Sequence, residues 1–136
     1  METMARARRK PDPQPTACPC GTGQPYEQCC GRWHQGGEAP TAEQLMRSRY
    51  SAFALGDAAY LLRTWHSSTR PRELELDTGP RYTGLEVLAT DRGSMFDTEG
   101  TVLFRAHYRD GGRPGALEEH SRFLREDGHW RYLRPL

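Results

Sequence analysis

The chain lacks any apolar run approaching 18 residues, and its mean hydropathy is −0.87, so no membrane-spanning helix is expected. Net charge is nearly absent as well. Its 19 basic and 18 acidic residues leave +1, which is not the strongly basic body of a general nucleic-acid binder. The opening Met-Glu-Thr-Met-Ala-Arg-Ala-Arg-Arg-Lys has no apolar stretch of the kind that directs export, so a cytoplasmic protein is expected. There is no internal repeat, no glycine-rich phosphate loop, no nucleophile elbow and no His-Glu-x-x-His helix. No familiar reaction is announced. Hydrophobic residues make up only 35% of 136, which allows one domain with a modest core and a small appendage.

Cysteine is missing from everything beyond Cys30, and this absence points to what is there. All four cysteines, Cys18, Cys20, Cys29 and Cys30, fall in one short window with the spacing C-x-C-x8-C-C. Disulfides between such near neighbours would close loops too short to gain much, whereas two close thiol pairs suit a tetrahedral metal site. Gly21 and Gly23 fit a tight turn whose amides are expected to point at the sulfurs. Arg32 is the expected partner for the negative charge of the site, and His34 is a possible substitute ligand. With four protein ligands the site is closed, hence structural, and metal binding would supply on the order of 10 kcal/mol of folding energy. Zinc is the expected ion, with iron open as the alternative.

Three segments follow from composition. Residues 1–16 form a tail in which Arg6, Arg8, Arg9 and Lys10 precede Pro11, Pro13 and Pro15, expected to be disordered. Residues 17–35 form the cysteine module, and 36–136 a second domain expected to fold without the metal. Thr41 and Gln44 match the spacing of a helix N-cap. Leu45, Met46, Tyr50, Phe53 and Ala54 then recur at helical period until Gly56, so 42–55 is predicted to be an amphipathic helix. Asp57 is expected to cap a second helix running to about His66. The period then shortens to two. Leu85, Val87 and Ala89 alternate with Glu86, Leu88 and Thr90; Val102, Phe104, Ala106 and Tyr108 with Leu103, Arg105, His107 and Arg109; Leu117, Glu119, Ser121 and Phe123 with Glu118, His120, Arg122 and Leu124; and last Trp130 and Tyr132 share one face. Asp110-Gly111-Gly112 and Asp127-Gly128 read as hairpin turns. Two helices ahead of an antiparallel meander make an α+β domain.

Such a domain encloses a concave space, and polar residues on its otherwise apolar faces are the candidate ligand contacts. These are Arg47, Tyr50, Tyr108, Glu119 and Ser121, with Arg47 or Arg49 expected to reach Glu119. His66 is expected to be favoured by a helix C-terminus, and His107, His120 and His129 to be solvated. Arg47, Arg49, Arg63 and Arg70 are a possible basic stripe near the helix ends.

The run Cys18-x-Cys20-Gly21-x-Gly23-x-x-Tyr26-x-x-Cys29-Cys30-Gly31 resembles the SEC-C motif, the metal-binding module at the C-terminus of the SecA translocation ATPase. The resemblance implies zinc on Cys18, Cys20, Cys29 and Cys30, with iron as the alternative. From Ala39-Pro40-Thr41 through Arg47-Ser48-Arg49-Tyr50, Thr64-Trp65, and on to Glu119-x-Ser121-x-Phe123, the chain resembles the bacterial YchJ family. That implies a SEC-C segment followed by a cone-shaped domain like nuclear transport factor 2. Three functions fit: recognition of a protein or ribosomal partner by the knuckle, small-molecule binding or catalysis in the cone, and RNA binding through the basic tail and arginine stripe. The first is preferred at this point.

Overall fold

A computed structural model describes residues 16–76 and 79–136, so the tail expected over 1–16 lies, apart from Thr16, outside the described residues. Residues 17–25 form a small loop closed by a bridge between Ala17 and Pro25 and by the Cys18 amide donating to Gln24 O at 2.8 Å. Gly21 and Gly23 turn the loop with φ of +87° and +85°, left-handed values that side chains rarely adopt. A single 3-10 turn, Tyr26–Gln28, leads into the short helix α1, Cys30–His34.

Helix α2 spans Ala42–Leu55. The Gln44 amide donates to Thr41 Oγ1 at 3.1 Å, and Gly56 stops the helix with φ of 79°, as the sequence leads one to expect. Helix α3, Ala58–Arg63, starts where Tyr60 N–H donates to Asp57 Oδ1 at 3.0 Å. It ends earlier than the expected His66. Trp65 has left the helix to bridge Tyr132, and the Tyr132 amide donates to Thr64 O at 2.9 Å.

Four strands follow: β1 Arg81–Arg92, β2 Glu99–Asp110, β3 Arg113–Glu126 and β4 His129–Pro135. They pair in sequence order as one antiparallel meander. The Asp110-Gly111-Gly112 and Asp127-Gly128 turns sit at the expected hairpin positions, with Asp127 itself at φ 54°. Irregularities between Tyr82 and Gly84, and between Val87 and Ala89, bend β1.

The larger of two buried clusters joins knuckle, helix α2 and sheet, and a smaller one gathers Ala52, Tyr60 and Leu61. Leu45, Met46 and Tyr50 of α2 pack with Val102, Ala106, Phe123 and Trp130 of the sheet, and all four cysteines join the same cluster. The knuckle is therefore not a separate bead. It lies on the face of α2 built from Ser48, Ser51 and Ala52, each 0% exposed, whose small side chains let the loop approach closely. Helix α2 is thus buried on two sides, more than its apolar residues alone suggest.

Candidate functional site

The loop and α1 bring the four cysteines together, and their sulfurs all lie within 4.8 Å of one another. All are free thiols, with Cys20 0% and Cys30 1% exposed. Cys20 Sγ and Cys29 Sγ are 3.6 Å apart, far beyond the roughly 2.05 Å of a disulfide. That spacing matches the roughly 3.8 Å between sulfurs tetrahedrally bound at a zinc–sulfur distance of about 2.3 Å. The donor set fits a tetrathiolate ion.

Electrostatics within the cluster make the same point. Hydrogen bonding from Cys20, then Cys30, drives the Cys18 thiol down, while Cys18 in turn drives Cys20 and Cys30 up. Negative charges this close oppose one another, so four thiolates require a metal's charge. The hydroxyls of Ser51, 3.5 Å from Cys18 Sγ, and Thr22, 3.2 Å from Cys29 Sγ, are placed to donate to such sulfurs. Gly31 permits the fold of the loop, because a Cβ there would meet Tyr26 O at 2.8 Å.

The Gly21 amide donates to Cys18 O at 3.1 Å, whereas the Cys20 and Thr22 amides of the same turn hydrogen-bond the sulfurs of Cys18 and Cys20 and favour their charged forms, as the turn leads one to expect. Other expectations about this centre are corrected. Arg32 turns away, donating to Cys29 O at 3.0 Å and stacking 4.4 Å above Trp33. Arg47 lies closer to the charge, donating to Cys20 O at 2.9 Å. His34 is not a ligand. Its Nε2 is 2.8 Å from Ser48 O, which can only accept, so Nε2 carries the proton and Nδ1 accepts the Tyr26 hydroxyl at 2.6 Å.

A second feature lies between α2 and the sheet, a cavity of about 260 Å³. Phe53, Tyr82, Phe104 and Phe123 supply apolar wall, and Arg49, Glu119, Ser121 and Tyr132 a polar group. Glu119 Oε2 accepts from Ser121 Oγ at 2.5 Å and from the Tyr132 hydroxyl at 3.0 Å. Arg49 Nη1 donates to Leu61 O and Thr64 Oγ1, each at 2.8 Å. Its guanidinium sits 4.9 Å from the Trp65 ring centre and 4.6 Å from that of Tyr132. Burial brings Arg49 down to about 10 and pushes Tyr50 up to about 12; burial, then the Glu119 charge, raises Tyr132 further. At neutral pH Arg49 is a cation and both tyrosines are neutral.

With this geometry established, comparison with known proteins supplies the family. The family model described as "YchJ, middle NTF2-like domain" matches residues 41–135, and the SEC-C motif matches 16–32. The chain belongs to the YchJ family. A UPF0225 protein of Streptomyces coelicolor is 62% identical over 116 residues, covering 85% of this chain and 90% of that one. One from Streptomyces avermitilis is 54% identical, covering 96% and 91%. Among solved structures, a SEC-C motif containing protein from Rhodopseudomonas palustris matches with a TM-score of 0.77 at 31% identity, over 89% of this chain and 98% of that one. Another from Psychrobacter arcticus matches with 0.73 at 28% identity, over 88% and 81%.

In this YchJ-family chain the residues singled out from sequence divide. Tyr50, Glu119 and Ser121 line the cavity. Arg47 does not, because it binds the knuckle and pairs with Glu43 at 3.0 Å. Neither does Tyr108, which covers Gly115, where a Cβ would fall 2.7 Å from the Tyr108 ring. No ion pair joins Glu119 to Arg47 or Arg49 among the described residues, and Glu119 is instead held by two hydroxyls. Nor do the arginines make a surface stripe. Arg49 is 5% exposed, Arg63 donates to Trp33 O at 2.9 Å, and only Arg70 of the four is exposed. His66 accepts from Ser68 beside α3 and is no part of the cavity. His107 pairs with Glu86 at 2.9 Å, and His107, His120 and His129 all lie on exposed or half-exposed strand positions. Trp65, Tyr82 and Tyr132 line the cavity without having been proposed as ligand contacts, and Arg49, expected only as an alternative partner for Glu119, lines it as well. Arg49 had a signal: it sits between Met46 and Phe53 on the apolar stripe of α2.

Proposed function

We propose that the protein binds a small molecule in the cavity between α2 and the sheet, and that zinc on Cys18, Cys20, Cys29 and Cys30 fixes the knuckle against that helix. The observation carrying the first part is a cavity of about 260 Å³ with aromatic walls and one connected polar group, Arg49, Glu119, Ser121 and Tyr132. Four sulfur ligands leave no open position, so the ion shapes the fold rather than performing chemistry. Iron suits four sulfurs too, and metal analysis separates the two. Cytoplasmic residence belongs to the same proposal, since free cysteines persist in a reducing compartment. The test is a thermal-shift screen of the metal-loaded chain against a broad set of metabolites. The reading expects a stabilising hit that Ser121→Trp, which fills the cavity, removes. A screen without hits would contradict it.

A protein or ribosomal partner is a second reading, favoured by one observation. Phe96 is 88% and Met95 56% exposed in the β1–β2 turn, which Arg125 pins by donating to Met95 O at 2.8 Å and Asp97 O at 2.7 Å. A firmly held loop offering two large apolar side chains is suited to insertion into a partner. The exposed part of the knuckle, Gly21 to Gln24 with Glu27 and Gln28, is polar or glycine. On this reading Phe96→Ser abolishes capture of a defined protein or of ribosomes, and capture unchanged by that substitution counts against it.

A further inference from the structure

Arg49 carries an unmet demand. A guanidinium has five N–H donors, and its charge is costly to bury. Nη1 is used on Leu61 O and Thr64 Oγ1, but among the described residues Nε and Nη2 meet no acceptor and no carboxylate lies within ion-pair distance. The side chain is nevertheless 5% exposed, with its remaining opening onto the cavity. Glu119 shares the cavity and its charge favours the cationic form of Arg49, but its hydrogen bonds are to Ser121 and Tyr132, so it fills none of the free N–H positions.

A second donor on the same wall is also unmet. Trp65, which stacks on Arg49, has a buried indole N–H without a partner, the one such side-chain nitrogen or oxygen among the described residues. A folded protein leaves few buried polar groups unpaired. Here two side chains with donors lacking acceptors adjoin one another, on a cavity whose remaining lining is apolar or aromatic apart from Glu119 and Ser121.

We infer that the cavity takes a small organic monocarboxylate with an apolar, ring-sized body, its carboxylate paired with Arg49. This deepens the small-molecule reading above and rests on it. A carboxylate is planar with two acceptor oxygens and fits the free edge of a guanidinium. The aromatic walls select an apolar body, and about 260 Å³ is slightly below the usual range for ligand pockets, so the molecule is small. Glu119 opposes a second anionic group on the ligand, and its Oε1, which has no partner among the described residues, can accept from a ligand hydroxyl.

Calorimetric titration of the metal-loaded chain with benzoate, 4-hydroxybenzoate, benzamide and benzylamine tests this, alongside NMR of the Trp65 indole N–H. Benzoate is expected to bind at least tenfold more tightly than benzamide and to shift the Trp65 signal, and Arg49→Lys to weaken benzoate at least tenfold. Should that variant not fold, the benzoate and benzamide comparison on the unaltered chain decides alone. Benzamide or benzylamine binding as tightly as benzoate would overturn the carboxylate assignment and leave the cavity as a binding site. Binding by none of the four would also overturn the assignment, and the metabolite screen then judges the cavity separately.

Discussion

Ser51 Oγ lies 3.5 Å from Cys18 Sγ, joining the cysteine loop to the middle of α2. Two residues earlier, Arg49 faces the cavity from the same helix. Metal centre and cavity are therefore built on opposite sides of one element, and the order of one bears on the other.

Ser51→Ala removes the hydroxyl supporting Cys18 without touching the ligand set. Metal affinity should fall about tenfold, toward the low end for loss of a partner that supports a ligand, with stoichiometry unchanged. Competition with a coloured chelator reads this, and an unaltered affinity would mean that the contact is incidental.

Removing the metal should affect more than the knuckle. The sequence suggested that 36–136 folds independently, but Cys20 and Cys30 share a buried cluster with Leu45, Met46 and Tyr50. Chelation, or Cys29→Ser, should lower the melting temperature by about 10 °C or more. Calorimetry before and after chelation checks this; an unshifted transition would restore the two-part picture.

His34→Ala breaks the bridge from Tyr26 to Ser48 O and should cost about 1–3 kcal/mol of stability, because the half-buried Tyr26 hydroxyl loses its partner and the bridge to α2 is gone. The metal content should not change. Loss of metal in this variant, with the fold retained, would make His34 a ligand after all.

The β1–β2 turn should weaken in acid. Hydrogen bonds from the Ser94 backbone and side chain hold the Asp97 carboxyl below its ordinary value of 3.8. A lowered folded value means that stabilisation is complete above the unfolded value and is lost as pH falls through the folded one. Amide exchange across 93–98 should therefore accelerate below about pH 4 in the native chain. In Asp97→Asn it should be fast and nearly independent of pH-linked opening. Equal opening in both proteins would contradict the assignment.

Much of this fold is legible from local signals. Thr41, Gly56 and Asp57 set helix ends through short-range hydrogen bonds and backbone preference, and the strand period reports one-sided burial. The cysteine spacing carries the metal centre because both halves of the site lie close in sequence. What could not be read depends on contacts made across the chain. In sequence Arg49 fits both a solvated charge run and a partner for Glu119, and only Trp65 and Tyr132, 16 and 83 residues later, show what closes around it. Ser48 and Ser51 carry no local sign of burial, which comes from Tyr60 of α3 bonding the first and the knuckle covering the second. The bulges in β1 have no local marker strong enough to place them.

The central claim is that four sulfurs hold one ion as part of the core. Metal analysis and X-ray absorption on chain purified without added metal test it most directly. The account predicts close to one zinc per chain with four sulfur neighbours at about 2.3 Å. Folded, metal-free protein, or Cys18, Cys20, Cys29 and Cys30 found joined in disulfides, would contradict it.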